Sequence, residues 1–196
     1  MILIPSTVWR VGKPNVAIRK AAVVCIIKML EQKLIDKEKM HGSFKNLFDT
    51  LKNCIDDDWA NDIRYASVIL VKTLINYLHE QFEHDEWVLI YPELLKRLDD
   101  AQDGIRIETC KVFEIFFEKL PDPWSSSLYE YTINNIFVHL DDQNTAIQEA
   151  VSAVLRKAAR VQTHDFIKYA RAMAEKSAHP ALCQSLCDYA QETYKQ

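Results

Sequence analysis

Apolar residues recur along this chain at i, i+3 or i+4, i+7, i+8 and i+11, in one stretch after another. Ile63, Ala66, Ser67, Leu70, Val71 and Leu74 form one such stripe, and Ile105, Thr109, Val112, Phe113 and Phe116 form another. That spacing puts each set on one face of an amphipathic helix. A second stripe precedes each acidic turn: Phe44, Leu47, Phe48, Leu51, Cys54 and Ile55; then Trp87, Ile90, Leu94, Leu95 and Leu98; then Ile133, Ile136, Phe137 and Leu140. Between the two stripes lies a short acidic segment, "IDDDWANDI", "LDDAQDGI" or "LDDQNTAI". Each period is therefore a helix, a tight acidic turn and a second helix.

Aligning the copies on Ile18, Ile63, Ile105 and Ile147 gives spacings of 45, 42 and 42 residues. Arg19, Arg64 and Arg106 follow the first three, and Gln148 follows the last. Five residues before the Ile stand Lys13, Asp58, Asp100 and Asp142. A helix pair repeated every ~40–47 residues cannot bury both of its apolar faces alone, so neighbouring pairs stack around a continuous core. The expected fold is all-α: an α-solenoid of about five helix pairs, an armadillo-like superhelix. It forms a single domain over residues 1–196, in units of about 1–35 (partial), 43–79, 84–119, 124–160 and 163–196. Ile63, Ile105 and Ile147 are expected to be buried at the start of each second helix. A structural ladder is expected from Asp58 with Arg64 and Asp100 with Arg106, with a weaker rung where Asp142 faces Gln148.

The stretch "YPELLKRLDDAQDGIRIETCKVFEIF" resembles the HEAT-repeat consensus, including Pro92 inside the first helix. The likeness extends in about five units over essentially the whole chain. The segment "VWRVGKPNVAIRKAAVVCIIKMLEQKLI" is similar to a repeat near the C-terminal end of the HEAT-repeat axonemal dynein assembly factors, at Trp9, Gly12, Ala17, Ile18, Arg19, Ala21, Ala22 and Val23. That resemblance implies a non-enzymatic, cytoplasmic interaction scaffold that assists preassembly of dynein arms. Its partners would be other proteins, dynein arm subunits and chaperones among them. It also implies a C-terminal fragment of a longer array. A different HEAT scaffold, such as a transport adaptor or an assembly platform of phosphatase or ubiquitin-ligase type, is the alternative.

Composition narrows the function without naming it. Three glycines and six prolines in 196 residues suit helices and leave no glycine-rich phosphate loop. A net charge of −4 with scattered Lys and Arg argues against a nucleic-acid partner. The longest apolar run, "AAVVCII", is far short of the ~20 residues a membrane span needs. "MILIPSTV" lacks the basic start of a signal peptide, and five scattered cysteines read as free thiols in a reducing compartment. In "HEQFEH", His79 and His84 are five apart and do not share a helix face, so the segment reads as an inter-repeat loop. His179, Cys183 and Cys187 share a helix face, where the thiols read as small apolar groups rather than metal ligands. No catalytic, cofactor-binding or metal-binding residue is assigned, and no small-molecule substrate is expected.

The candidate protein-binding residues are therefore surface positions. Asp57, Asp99 and Asp141 in the acidic turns would make a negative edge for a basic partner. Lys20, Lys72 and Lys111, with Lys28, Glu114, Glu149 and Arg156, point away from the apolar stripes of the second helices. Trp124, in "PDPWSSSLYEY", would either pack beneath its loop, with Asp122 or a serine capping the next helix, or contact a partner; Ser125–Ser127 are candidate phosphorylation sites. The N-terminal end is expected to be a cut, leaving the Val16–Leu30 face uncovered and prone to self-association. Replacing Asp57, Asp99 and Asp141 together by Asn is expected to leave the fold intact while slowing partner association and lowering its salt dependence.

Overall fold

The computed structural model describes residues 3–10, 12–121 and 124–194. Among the described residues there are ten α-helices and no strand: α1 (Lys13–Glu31), α2 (Lys37–Gly42), α3 (Phe44–Ile55), α4 (Asn61–Leu78), α5 (His84–Leu98), α6 (Asp103–Lys119), α7 (Ser126–Phe137), α8 (Thr145–Ala158), α9 (Thr163–Ala174) and α10 (Pro180–Tyr194). From α3 onward they alternate, in chain order, as first and second members of pairs. The fold is the all-α helical-repeat class that the period of the apolar stripes indicates. The chain divides into two compact units, Met1–Arg97 and Leu98–Gln196.

Local chemistry explains where helices begin and end. Gly12, at φ 109°, precedes α1 in a conformation that disfavours side chains, and Pro14 follows in the first turn, where its missing N–H costs nothing. α1 ends in a Schellman turn: Lys33 N–H donates to the Leu30 carbonyl at 3.0 Å and Leu34 N–H to that of Met29 at 2.8 Å. Lys33 occupies the left-handed position, φ 54°, usually given to glycine. Asp36 caps α2 by accepting from Lys39 N–H at 3.1 Å, and Asn144 caps α8 by accepting from Ala146 N–H at 3.0 Å. Pro92 lies inside α5, where it removes one helical donor.

In the N-terminal unit α1 packs on α4, and α2 and α3 pack on α4 as well. Val23, Ile26 and Leu30 of α1, Leu47, Phe48 and Leu51 of α3, and Leu70, Leu74 and Leu78 of α4 are buried. Phe82 locks the start of α5 to α3, with ring centroids 4.7 Å from Phe44 and 5.4 Å, edge-on, from Trp87. In the C-terminal unit α6 packs on α8, α7 on α8 and α9, and α10 on α8 and α9. Phe113, Phe116, Phe137 and Phe166 are buried there, and Tyr129 donates its hydroxyl to the Ala158 carbonyl at 2.7 Å.

The aligned isoleucines behave alike in three copies and differently in the first. Ile63, Ile105 and Ile147 are buried, whereas Ile18 is 52% exposed and Arg19 beside it is buried. The described segment before α1 is only a 3-10 turn, Ile4–Thr7, tied to α3 by the Thr7 hydroxyl, which lies 2.8 Å from that of Thr50. α1 therefore turns Arg19, Ala22, Val23, Ile26, Ile27 and Leu30 inward and leaves Ile18, Val24 and Cys25 exposed.

Replacing Ile105 by Asp puts an unpaired carboxylate in a fully packed site and is expected to cost about 3–5 kcal/mol. For a chain of this size that lowers the melting temperature by about 10 °C or more. Ile105→Val, which removes one methylene, is expected to cost only about 1 kcal/mol. Thermal melts followed by circular dichroism check both; equal melts for wild type and Ile105→Asp contradict the repeat alignment.

Candidate protein-binding surface

Each acidic turn is organised by one aspartate that caps the backbone ahead of it. Asp57 Oδ1 accepts from the N–H groups of Trp59 (3.1 Å) and Ala60 (2.9 Å), Asp100 Oδ1 from Gln102 (3.0 Å), and Asp142 Oδ1 from Asn144 (2.8 Å). The residue after the aligned Ile then returns to the carbonyl end of the preceding segment. Arg64 Nη1 donates to the Asp57 carbonyl at 2.7 Å, Arg106 Nε to that of Leu98 at 2.7 Å, and Gln148 Nε2 to that of Asp142 at 2.6 Å. The guanidinium also reaches forward to the next turn: Arg19 Nη2 donates to Asp57 Oδ2 and Arg106 Nη2 to Asp142 Oδ2. Arg106 has a further neighbour in Asp103 at 3.6 Å.

This geometry corrects the expected ladder: Arg106 turns to Asp142 and not to Asp100, which caps Gln102, and two further places differ. Asp58 is exposed, and the rung belongs to Asp57, because "IDDDWANDI" holds one more residue between capping Asp and Ile than "LDDAQDGI" does; Trp59 takes up the extra position. Asp142 does not form a weak pair with Gln148. Its carboxylate is held by Arg106 of the preceding repeat, and Gln148 takes only its carbonyl. Burial works to raise the Asp142 pKa, but the Asn144 N–H and the Arg106 guanidinium outweigh it and hold the carboxyl below its usual range.

The candidate binding residues separate accordingly. Asp57, 2% exposed and committed to Arg19, is a core member rather than a contact residue. Trp124 is buried edge-on against Phe116, 6.1 Å between centroids, and its carbonyl accepts from Gln162 Nε2 at 2.6 Å; it packs and does not face a partner. The cap expected of Asp122 lies outside the described residues, while Ser125 leaves α7 without a side-chain cap and meets the Ser127 hydroxyl at 3.0 Å. Asp99 is open to solvent, with His139 Nε2 at 4.0 Å. Asp141 is exposed and accepts from the Ser177 hydroxyl at 2.6 Å. Lys20 pairs with Asp62 at 2.6 Å and Lys111 with Glu108 at 3.0 Å, while Lys72 is half-buried.

Other surface pairs follow the same repeat spacing. Asp56 is held by Lys96 (3.3 Å) and Arg97 (3.0 Å) of α5, Glu80 by Lys37 (2.9 Å) and Glu118 by Lys157 (2.9 Å). Partners separated by 39 to 43 residues are neighbours one repeat apart, a signal present in the chain but not read from it. The exposed surface thus carries paired charges of both signs.

The remaining constellations have structural places. α4 ends at Leu78, His79–Gln81 form a 3-10 turn, and His84 opens α5, so the two histidines stand on different elements. Cys183 and Cys187 are buried on α10, with His179 exposed just before it. Burial pushes the Cys54 thiol up to about 11 and the Cys110 thiol to about 12, and also raises Cys183 and Cys187, so these sulfurs stay protonated and unreactive at neutral pH. Among the described residues no three His, Cys, Asp or Glu side chains gather as a metal-binding group, and no helix is long and apolar enough to cross a membrane.

Comparison with known proteins gives the chain relatives. It is 28% identical over 195 residues to dynein axonemal assembly factor 5 of Xenopus laevis, and 25% identical over 194 residues to the protein of that name from Homo sapiens. Each match covers 97% of this chain and 23% of the relative, so the chain spans about a quarter of the length of the curated proteins it resembles. No family model matches. Among solved structures it is similar in fold to an engineered protein (TM-score 0.58, 9% identity, covering 99% of this chain and 78% of that one). It is likewise similar to computationally designed armadillo repeat proteins for modular peptide recognition (TM-score 0.58, 13% identity, 97% and 79% covered).

Two outcomes follow from the rungs. Asp57→Asn leaves the Arg19 charge buried without its partner and is expected to cost about 3 kcal/mol, whereas Asp58→Asn stays within about 0.5 kcal/mol of wild type; denaturant unfolding distinguishes them, and equal costs contradict the assignment. Asp142 has a folded pKa below its unfolded value near 3.8, so its contribution is full above that value and is lost as pH falls through the folded pKa. The melting-temperature gap between wild type and Asp142→Asn is therefore expected to be wide at neutral pH and to close as pH falls below about 4. A gap constant across that range contradicts it.

Proposed function

We propose that this chain is a non-enzymatic interaction scaffold that helps preassemble axonemal dynein arms in the cytoplasm. The observation that carries the reading is similarity to proteins named dynein axonemal assembly factor 5 along 97% of the chain. The physical picture agrees with it. Among the described residues the conspicuous carboxylates and guanidinium groups of the turns cap the backbone and pair with one another, as a structural role requires. The exposed charges are of mixed sign and largely paired, which suits protein partners rather than a phosphate backbone. The designed armadillo proteins of similar fold are described as made for peptide recognition, which fits the same class of partner. Dynein arm subunits and chaperones are the partners this reading names. Asp99, Asp141 and Lys20, all exposed, are its contact candidates.

Capture from extracts of ciliated cells, with the chain as bait, checks the reading. Enrichment of dynein heavy or intermediate chains together with chaperones is expected. Enrichment of importin cargo, phosphatase subunits or ubiquitin-ligase subunits in their place contradicts it.

A further inference from the structure

The N-terminal unit holds a groove of about 410 Å³ lined by Trp9, Arg10, Lys13, Val16, Arg19 and Trp59 among others. Its two indoles are unusually placed for a chain that buries Trp87 and Trp124. Trp59 is 86% exposed and Trp9 45% exposed. Trp59 is the extra residue of its turn, and the Asp57 carboxylate fixes its backbone N–H, so the exposed ring stands on a rigid base. A large, pre-positioned aromatic surface of this kind is the usual anchor of a protein contact.

The groove is also electropositive within an acidic chain. Arg10 and Lys13 are exposed and have no ion-pair partner among the described residues. Asp57 is already neutralised by Arg19, and Asp58, its neighbour in sequence, does not line the groove. Arg19 itself is 2% exposed. Its Nη1 donates to the Arg10 carbonyl at 2.9 Å and its Nη2 to Asp57, but its buried Nε–H has no acceptor. In Arg106 the equivalent Nε donates to the Leu98 carbonyl at 2.7 Å.

We infer that this groove binds an acidic peptide segment of a partner protein. An apolar side chain of the segment packs on Trp9 and Trp59, and its carboxylates meet Arg10 and Lys13. The inference rests on the reading of the chain as a protein-binding scaffold, but not on which assembly it serves.

The test uses the purified chain and a short capped peptide in which glutamate alternates with phenylalanine, followed by tryptophan emission and calorimetry. Saturable binding with a blue shift is expected, weakened about tenfold by Trp59→Ala and by a matched peptide carrying glutamine in place of glutamate. The Trp59 side chain is solvent-exposed, so its removal leaves the melting temperature unchanged and the loss reports the site rather than the fold. The double variant Arg10→Gln with Lys13→Gln is expected to bind more weakly and with a smaller salt dependence. Absence of saturable binding, equal binding by Trp59→Ala, or equal binding of the glutamine peptide overturns the proposal. So does a Trp59-dependent dimer seen by sedimentation without peptide, since a second copy would then be the occupant. Dynein capture that persists in Trp59→Ala leaves the scaffold reading standing, and the peptide titration decides this one separately.

Discussion

At two of the acidic turns one aspartate ties three pieces of chain together, and the rest of the structure depends on that arrangement. Asp57 closes its own turn through the N–H groups of Trp59 and Ala60 while its second oxygen holds Arg19, 38 residues earlier. Asp142 does the same with Asn144 and Arg106. The arginine is anchored at its other edge by a backbone carbonyl, Leu98 for Arg106 and Arg10 for Arg19. A guanidinium suits this place because its planar fork offers donors in two directions with little entropy lost per bond. Burying such charges is costly unless each is paired and hydrogen-bonded, so the rung specifies how adjacent repeats register as well as how strongly they adhere.

Register matters because the cores are made of interchangeable apolar groups. Ile63, Ile105 and Ile147 open their helices in the same way, and the Phe44–Phe82–Trp87 cluster or the Phe113–Phe116–Trp124 cluster fills the space between layers. Such packing is strong but tolerant of sliding. The polar rungs, and the exposed pairs at similar spacing such as Lys96 with Asp56 and Lys157 with Glu118, favour one alignment over others. Gln148 keeps the contact to its own turn and drops the forward charge.

The fold was legible from the apolar period, which depends only on burial and recurs from α3 to α10. The chemistry of the turns was less so. A one-residue insertion at Trp59 moves the rung from Asp58 to Asp57, and aligning the copies on their isoleucines hides it. Ile18 looks like its counterparts in sequence, yet α1 turns Arg19, Ala22 and Val23 inward and leaves Ile18 exposed. Trp124, in a stretch rich in proline and serine, is buried against Phe116, as its size and hydrophobicity favour. The exposure of Trp9 and Trp59 depends on where α1 and the first turn lie in space, which the pattern along the chain does not encode.

A double-mutant cycle on Arg106 and Asp142 tests the central claim most directly. Arg106→Gln, Asp142→Asn and the combined variant are unfolded in denaturant at neutral pH and low salt. If the rung carries the register between repeats, the double variant loses little more than the worse single one, and the coupling energy is about 1–3 kcal/mol. Additive losses, with a coupling energy near zero, would contradict the account and reduce both residues to independent caps of their own turns.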